Sequence, residues 1–170
     1  MNKLNLLSSN KDKAILTTSI VVIFALVTIV IPLLFVKYIP NSIIGNYFFR
    51  NVDLLFFVIP LVIYFFYTGV FIYHVKIDPY IIAISSYNSI PIISYEKDEI
   101  DISHLMLQEY AFFNRRFSLN RTLMIKIKTD SDKIVAKRFT LSLVGYKEQN
   151  RIKKVLDQIL LNNRKWKRKL

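Results

Sequence analysis

Two long uncharged apolar runs, separated by a short polar loop, constrain this chain more than any other feature. Ala14 to Val36 holds 23 positions without Asp, Glu, Lys or Arg, and Leu54 to Tyr73 holds 20. At about 1.5 Å rise per residue, either run as a helix can cross a hydrocarbon core of roughly 30 Å. The expected order is an N-terminal segment (1–13), a first transmembrane helix (14–36), a short extracytoplasmic loop (37–53) and a second transmembrane helix (54–74). Pro32 falls near the end of the first span, where a kink costs least. Pro60 is expected to kink the second, and Gly69 to offer a close-packing surface. A secretory signal is the competing reading of the first run. The run is too long for one, and Phe35-Val36-Lys37-Tyr38-Ile39-Pro40 lacks a small-residue cleavage site.

Charge sets the orientation. The chain carries a formal net charge of +12, with three basic groups and one acid in residues 1–13 and only Lys37 and Arg50 against Asp53 in the loop. The region after Tyr73 holds 19 basic and 10 acidic groups. Because Lys and Arg near span ends resist translocation, both termini are expected in the cytoplasm and the protein in the cell (inner or plasma) membrane. Cysteine is absent, so there is no disulfide framework and no thiolate zinc site.

Beyond Tyr73 uniform apolarity gives way to period-two alternation. Val75 and Ile77 alternate with His74, Lys76 and Asp78, and Tyr80 to Ser85 is rich in β-branched residues. Ser86-Tyr87-Asn88-Ser89 reads as a turn and Ile90 to Tyr95 as a return strand. Leu123, Ile125 and Ile127 alternate with Met124, Lys126 and Lys128; a turn over 129–133 leads to a partner strand with Val135, Phe139 and Leu141 on one face. Residues 102–113 fit a strand, with a helical stripe as the alternative. Ile152, Val155, Leu156, Ile159 and Leu160 recur at helical spacing, which predicts an amphipathic helix over 147–161, stopped by Asn162-Asn163.

The segments "VKIDPYIIAIS", "EIDISHLML", "LMIKIKTDSDKIVAKRFTL" and "GYKEQNRIKKVLDQIL" follow one another as strands and then a helix. In that order the soluble half, residues 75–163, resembles the bacterial pleckstrin-homology-like domains attached to paired transmembrane helices. The resemblance implies a curved sheet or partial barrel of about seven strands closed by the C-terminal helix, of which five or six are discernible here. It brings no catalytic residues. The fold class expected is therefore membrane α + β, a transmembrane hairpin followed by a small antiparallel β domain.

Candidate binding residues are basic. In the polybasic tail (164–170), Arg164, Lys165, Lys167, Arg168 and Lys169 surround Trp166, a pattern suited to anionic lipid headgroups or equally to a solvated terminus. Nucleic acid is the weaker reading, because no base-reading motif accompanies the tail. Arg115, Arg116 and Arg121 interleave with Phe112, Phe113 and Phe117, as a clasp for a phosphate or a partner's carboxylates or as a plain inter-strand loop. Glu96, Asp98, Glu99 and Asp101 lack the spaced ligands and glycine of a calcium loop and read as a solvated turn, with pairing to another copy's basic tail as an alternative. His74 and His104 have no nucleophile or further ligands in a recognisable constellation.

No G-x-S-x-G, P-loop, H-E-x-x-H or GxGxxG occurs, so no catalytic residue, metal site or cofactor is expected. Neither span holds an ionisable Asp, Glu, Lys or Arg, which argues against transport. The expectation is a non-enzymatic scaffold that presents its soluble domain to anionic lipid, to a membrane-protein partner or to another copy of itself. A small immunity protein, protecting its bacterium from a toxin or bacteriocin, is the rival.

Overall fold

The computed structural model describes residues 4–51, 53–90, 97–114, 118–129 and 132–167. The chain forms two units: one contains residues 1–14 and 70–170, the other residues 15–69. The helical unit is thus an insert within the β unit.

The β unit begins with a strand that sequence periodicity does not announce. Strand β1 (Leu6–Ser9) pairs antiparallel with β2 (Phe71–Ile77), with Leu6 opposite Ile77 and Ser9 opposite His74. Within the N-terminal segment 1–13, Leu6–Ser9 therefore supply part of the sheet. Four residues are too few to show alternation, and the partner lies more than 60 positions away. Strand β3 (Ile81–Asn88) and β4 (Lys97–Ser103) complete a four-stranded antiparallel sheet in the order β1-β2-β3-β4. A second sheet contains β5 (Leu107–Asn114), β6 (Asn120–Lys128) and β7 (Ile134–Ser142) in sequence order. A single 3₁₀ turn, His104–Met106, links the sheets.

Several expectations shift here. The expected turn at 86–89 mostly belongs to β3, because Ser86 and Asn88 are buried; Ser86 Oγ donates to Thr140 O at 2.5 Å. The expected return strand at 90–95 falls largely outside the described residues. Asp98, Glu99 and Asp101 of the acidic run lie not in a turn but in β4, exposed, while Ile100 and Ile102 point into the core; Glu96 lies outside the described residues. For 102–113 the strand reading holds over most of the stretch, broken by the 3₁₀ turn.

The core lies between the sheets and helix α5 (Tyr146–Lys167). Ile82 and Ile84 come from β3, Leu123 and Ile125 from β6, Phe139 and Leu141 from β7, and Ile152, Leu156 and Ile159 from α5. Val135, expected beside Phe139, is exposed near the start of β7. Leu143 follows β7 directly with φ 58°, a left-handed backbone that L side chains seldom adopt, and its N–H donates to Leu119 O at 2.9 Å. The pattern therefore breaks at Leu143, two residues before Gly145.

Helix α5 also runs six residues past its expected end. Asn163, read as a stop signal, is instead a tertiary anchor: its buried amide donates to His104 O at 2.7 Å and Leu107 O at 3.2 Å. That contact holds the last turns against the 3₁₀ turn.

The helical unit starts with α1 (Lys11–Ala25), whose first residues belong to the β unit. It continues through a π-helical segment, Leu26–Val30, into α2 (Ile31–Tyr38). Pro32 lacks an N–H and its ring crowds the carbonyl four residues back, so the wider π turn just before it is a local accommodation. Together these make one apolar helix of 28 residues, Lys11–Tyr38, long enough to cross a membrane.

The second run does not stay helical to residue 74. Helix α4 (Asp53–Thr68) has 16 residues and is followed by Gly69 at φ 65°, whose N–H bonds to Phe65 O at 3.0 Å. A left-handed glycine is a common helix terminator, and Phe71 onward belongs to β2. Between α2 and α4 stands α3 (Ile43–Arg50), capped by Ser42 Oγ, which accepts the Gly45 N–H at 2.9 Å.

Candidate functional site

Asn10 sits at the junction between β1 and α1, 3% exposed. Its amide nitrogen donates to Phe71 O at 2.9 Å and Ser142 O at 2.8 Å, and its Oδ1 accepts the Tyr73 N–H at 2.8 Å. Ser142 Oγ in turn accepts the Phe71 N–H at 2.7 Å and donates to Asn120 Oδ1 at 2.5 Å. One side chain thus ties β1, β2 and β7 together where the insert departs and returns. Ala14, Val70 and Ile72 form a small apolar cluster there.

Next to this junction lies a buried polar cluster. Ser8 Oγ donates to Glu148 Oε1 at 2.6 Å, and the wholly buried Tyr73 hydroxyl lies near both without a well-formed hydrogen bond. Burial pushes the Tyr73 phenol up to about 12; the Ser8 hydroxyl opposes the rise and the Glu148 carboxylate adds to it. Such a group stays neutral and is poorly suited to proton transfer near neutral pH.

The opposite end of the β unit carries the tail. The His104 N–H donates to Tyr80 O at 3.0 Å, in the β2–β3 turn, and His104 O accepts from Asn163. Asn163 is thus held at the 3₁₀ turn, and Trp166 follows it by three residues on α5. Trp166 is 55% exposed, and Arg164 and Lys165 beside it are exposed on helix rather than on a frayed terminus. Lys167 is the last helical residue described; Arg168 and Lys169 lie outside the described residues.

Of the arginine cluster, Arg121 alone lies among the described residues. Arg121 is the second residue of β6, half-buried, and its guanidinium donates to the buried Gln149 of α5, which gives it an internal partner. Arg115 and Arg116 lie outside the described residues, as does Phe117. Phe112 is half-buried against the core, with Lys153 Nζ 5.6 Å from its ring centre.

His104 Nε2 is buried without a partner, and burial lowers the imidazole pKa, opposed by backbone contacts from Asp78 and Ile81. Tyr110 donates to Asp157 Oδ1 at 2.6 Å; burial and then that carboxylate raise its phenol pKa. Among the described residues no group of three or more His, Cys, Asp or Glu is placed to hold a metal ion. Sequence reasoning missed Asn10 and Asn163, since a single asparagine beside a helix reads as a cap or a stop. Comparison with protein-family models, with curated proteins and with solved structures returns no match.

Proposed function

We propose that this is a non-enzymatic integral membrane protein that crosses the membrane twice, keeps both termini in the cytoplasm and offers a pleckstrin-homology-like domain to a protein partner. One observation carries the topology. β1 and β2 flank the insert and are hydrogen-bonded neighbours, so a segment that leaves this domain returns to it. Such a segment crosses a membrane an even number of times. If the 28-residue helix crosses, the chain comes back before Val70, and α4 is the apolar helix available for the return. The excess of Lys and Arg outside the 37–53 loop favours the cytoplasm for both ends.

The pleckstrin-homology-like reading is supported by the composition of the β unit: a four-stranded and a three-stranded antiparallel sheet with a C-terminal helix packed on the core. A protein partner is preferred to lipid because Trp166 is exposed on formed helix with Arg164 and Lys165 exposed beside it. Exposed Trp and Arg are favoured anchors at protein interfaces. The mechanism is placement: tethering raises local concentration, so a weak contact is occupied. Photo-crosslinking from a reactive amino acid at position 166, in native membranes, tests this. The proposal expects an adduct with a discrete protein; adducts with lipid alone, or none, would refute it.

A further inference from the structure

We infer that the β unit is seated in the bilayer surface rather than held off it on a linker, with Leu119 in the headgroup layer of the leaflet where the first span begins. The inference rests on the first helix crossing the membrane, as proposed above, and adds a lipid-contacting rim to the soluble domain.

The level of the membrane is marked on the β unit itself. The uncharged run begins at Ala14, directly after the exposed Lys11, Asp12 and Lys13. Its 23 residues reach about 34 Å as helix against a core of roughly 30 Å. Shared between both ends, the surplus puts Ala14 within about 2 Å of the hydrocarbon edge. Yet Ala14 is fully buried, in a cluster with Val70 and Ile72 on which Tyr87 and Leu143 pack. Side chains of the domain thus reach the level at which acyl chains begin. Leu143 has a left-handed backbone that would suit glycine better, and the leucine side chain in its place covers this cluster.

Hydrogen bonds give a second, independent measure. Asn10 O accepts the Ala14 N–H at 2.8 Å, so Asn10 stands about 6 Å before Ala14 along the helix. The headgroup layer is itself about 5–8 Å thick on each side. Asn10 donates to Ser142 O at 2.8 Å, and the next residue, Leu143, donates its N–H to Leu119 O at 2.9 Å. These bonds hold the end of the β5–β6 connection at headgroup level. On the return side only Gly69 and Val70 separate α4 from β2, too little chain to serve as a linker. Leu119 is 42% exposed there. The occupant that fits is a phospholipid surface, with apolar Leu119 towards the acyl boundary and Lys11 and Lys13 for the phosphates.

The test uses the full-length protein in phospholipid vesicles. The chain has no cysteine, so Leu119→Cys carries a single nitroxide spin label. Collisions of the label with dissolved oxygen and with a water-soluble nickel chelate report its surroundings. Ser118→Cys is a second reporter on the same turn, and gives the reading should Leu119→Cys not fold. Leu161→Cys, exposed on α5, is the water reference, and Phe24→Cys, in α1, the reference for the span. The oxygen-to-nickel collision ratio on the Leu119 turn is expected to be at least about threefold above that at position 161. An equal ratio overturns the inference. So do weak collisions with both reagents, which mean cover by protein, a second copy included. A high ratio at position 24 with a water-like turn sinks this inference alone; a water-like ratio at position 24 sinks the membrane crossing and this inference with it.

Discussion

Asn10 Oδ1 accepts the backbone N–H of Tyr73 at 2.8 Å, joining residues that stand on either side of the whole helical insert. The two flanking strands are thus closed by a side chain as well as by their ladder. Asn10→Ala orphans Tyr73 N and the carbonyls of Phe71 and Ser142. Leaving buried groups unsatisfied costs about 1–3 kcal/mol each, less when neighbours relax. Denaturant titration of the full-length protein in mild detergent is expected to show a loss of about 2–4 kcal/mol; an unchanged midpoint would contradict the role given to Asn10.

Tyr73→Phe should behave in the opposite manner. Its buried hydroxyl forms no good hydrogen bond, so removing it is expected to alter stability at pH 7 by less than about 1 kcal/mol. Its folded pKa is raised from 10.0 to about 12. The unfolded chain therefore releases the proton first, and stability present below pH 10 is lost as pH rises towards 12. Melting curves at increasing alkaline pH should fall less steeply for Tyr73→Phe than for the wild type.

His104 produces the acid counterpart. Its folded pKa lies below the ordinary 6.5, so the unfolded chain takes up the proton more readily. Stability is fully present above 6.5 and declines as pH falls through the lowered folded value. His104→Asn is expected to flatten that part of the Tm–pH profile. A wild-type profile that is already flat from pH 7 to pH 5 would count against a buried neutral imidazole.

Asn163→Ala removes both bonds to the 3₁₀ turn. It is expected to cost about 1–2 kcal/mol and to speed amide hydrogen exchange over Leu160–Trp166, while the first half of α5 stays protected. Uniform protection along the helix in the variant would show that the tail is held by something else.

The long, strongly periodic parts of this fold were legible in the sequence. Leu123, Ile125 and Ile127 alternate and are buried, and the α5 stripe faces the core, because burial on one side imposes the period directly. What escaped was set by distant partners. Leu6–Ser9 becomes a strand only because Phe71–Ile77 lies beside it, and α5 passes Asn163 because two carbonyls await its amide. The second apolar run misled for a different reason. Phe71, Ile72 and Tyr73 continue the hydrophobicity of α4, since β2 is buried near its start, and hydropathy does not separate a buried strand from a helix. Only Gly69 marked the change. Of the candidate residues, Trp166, Arg164 and Lys165 are exposed on helix, whereas the partner of Arg121, Gln149, looks in the sequence like one more polar residue of an amphipathic helix.

The central claim is that the insert begins and ends on one side of a membrane. The chain contains no cysteine, so single substitutions can be labelled cleanly. Leu7→Cys, Asn46→Cys and Leu161→Cys place thiols at exposed positions in β1, in α3 and on α5. With a membrane-impermeant maleimide on intact cells, Asn46→Cys should react at once, and Leu7→Cys and Leu161→Cys only after permeabilisation. Labelling of Leu7→Cys and Leu161→Cys from opposite faces would contradict the β1–β2 pairing and the topology built on it.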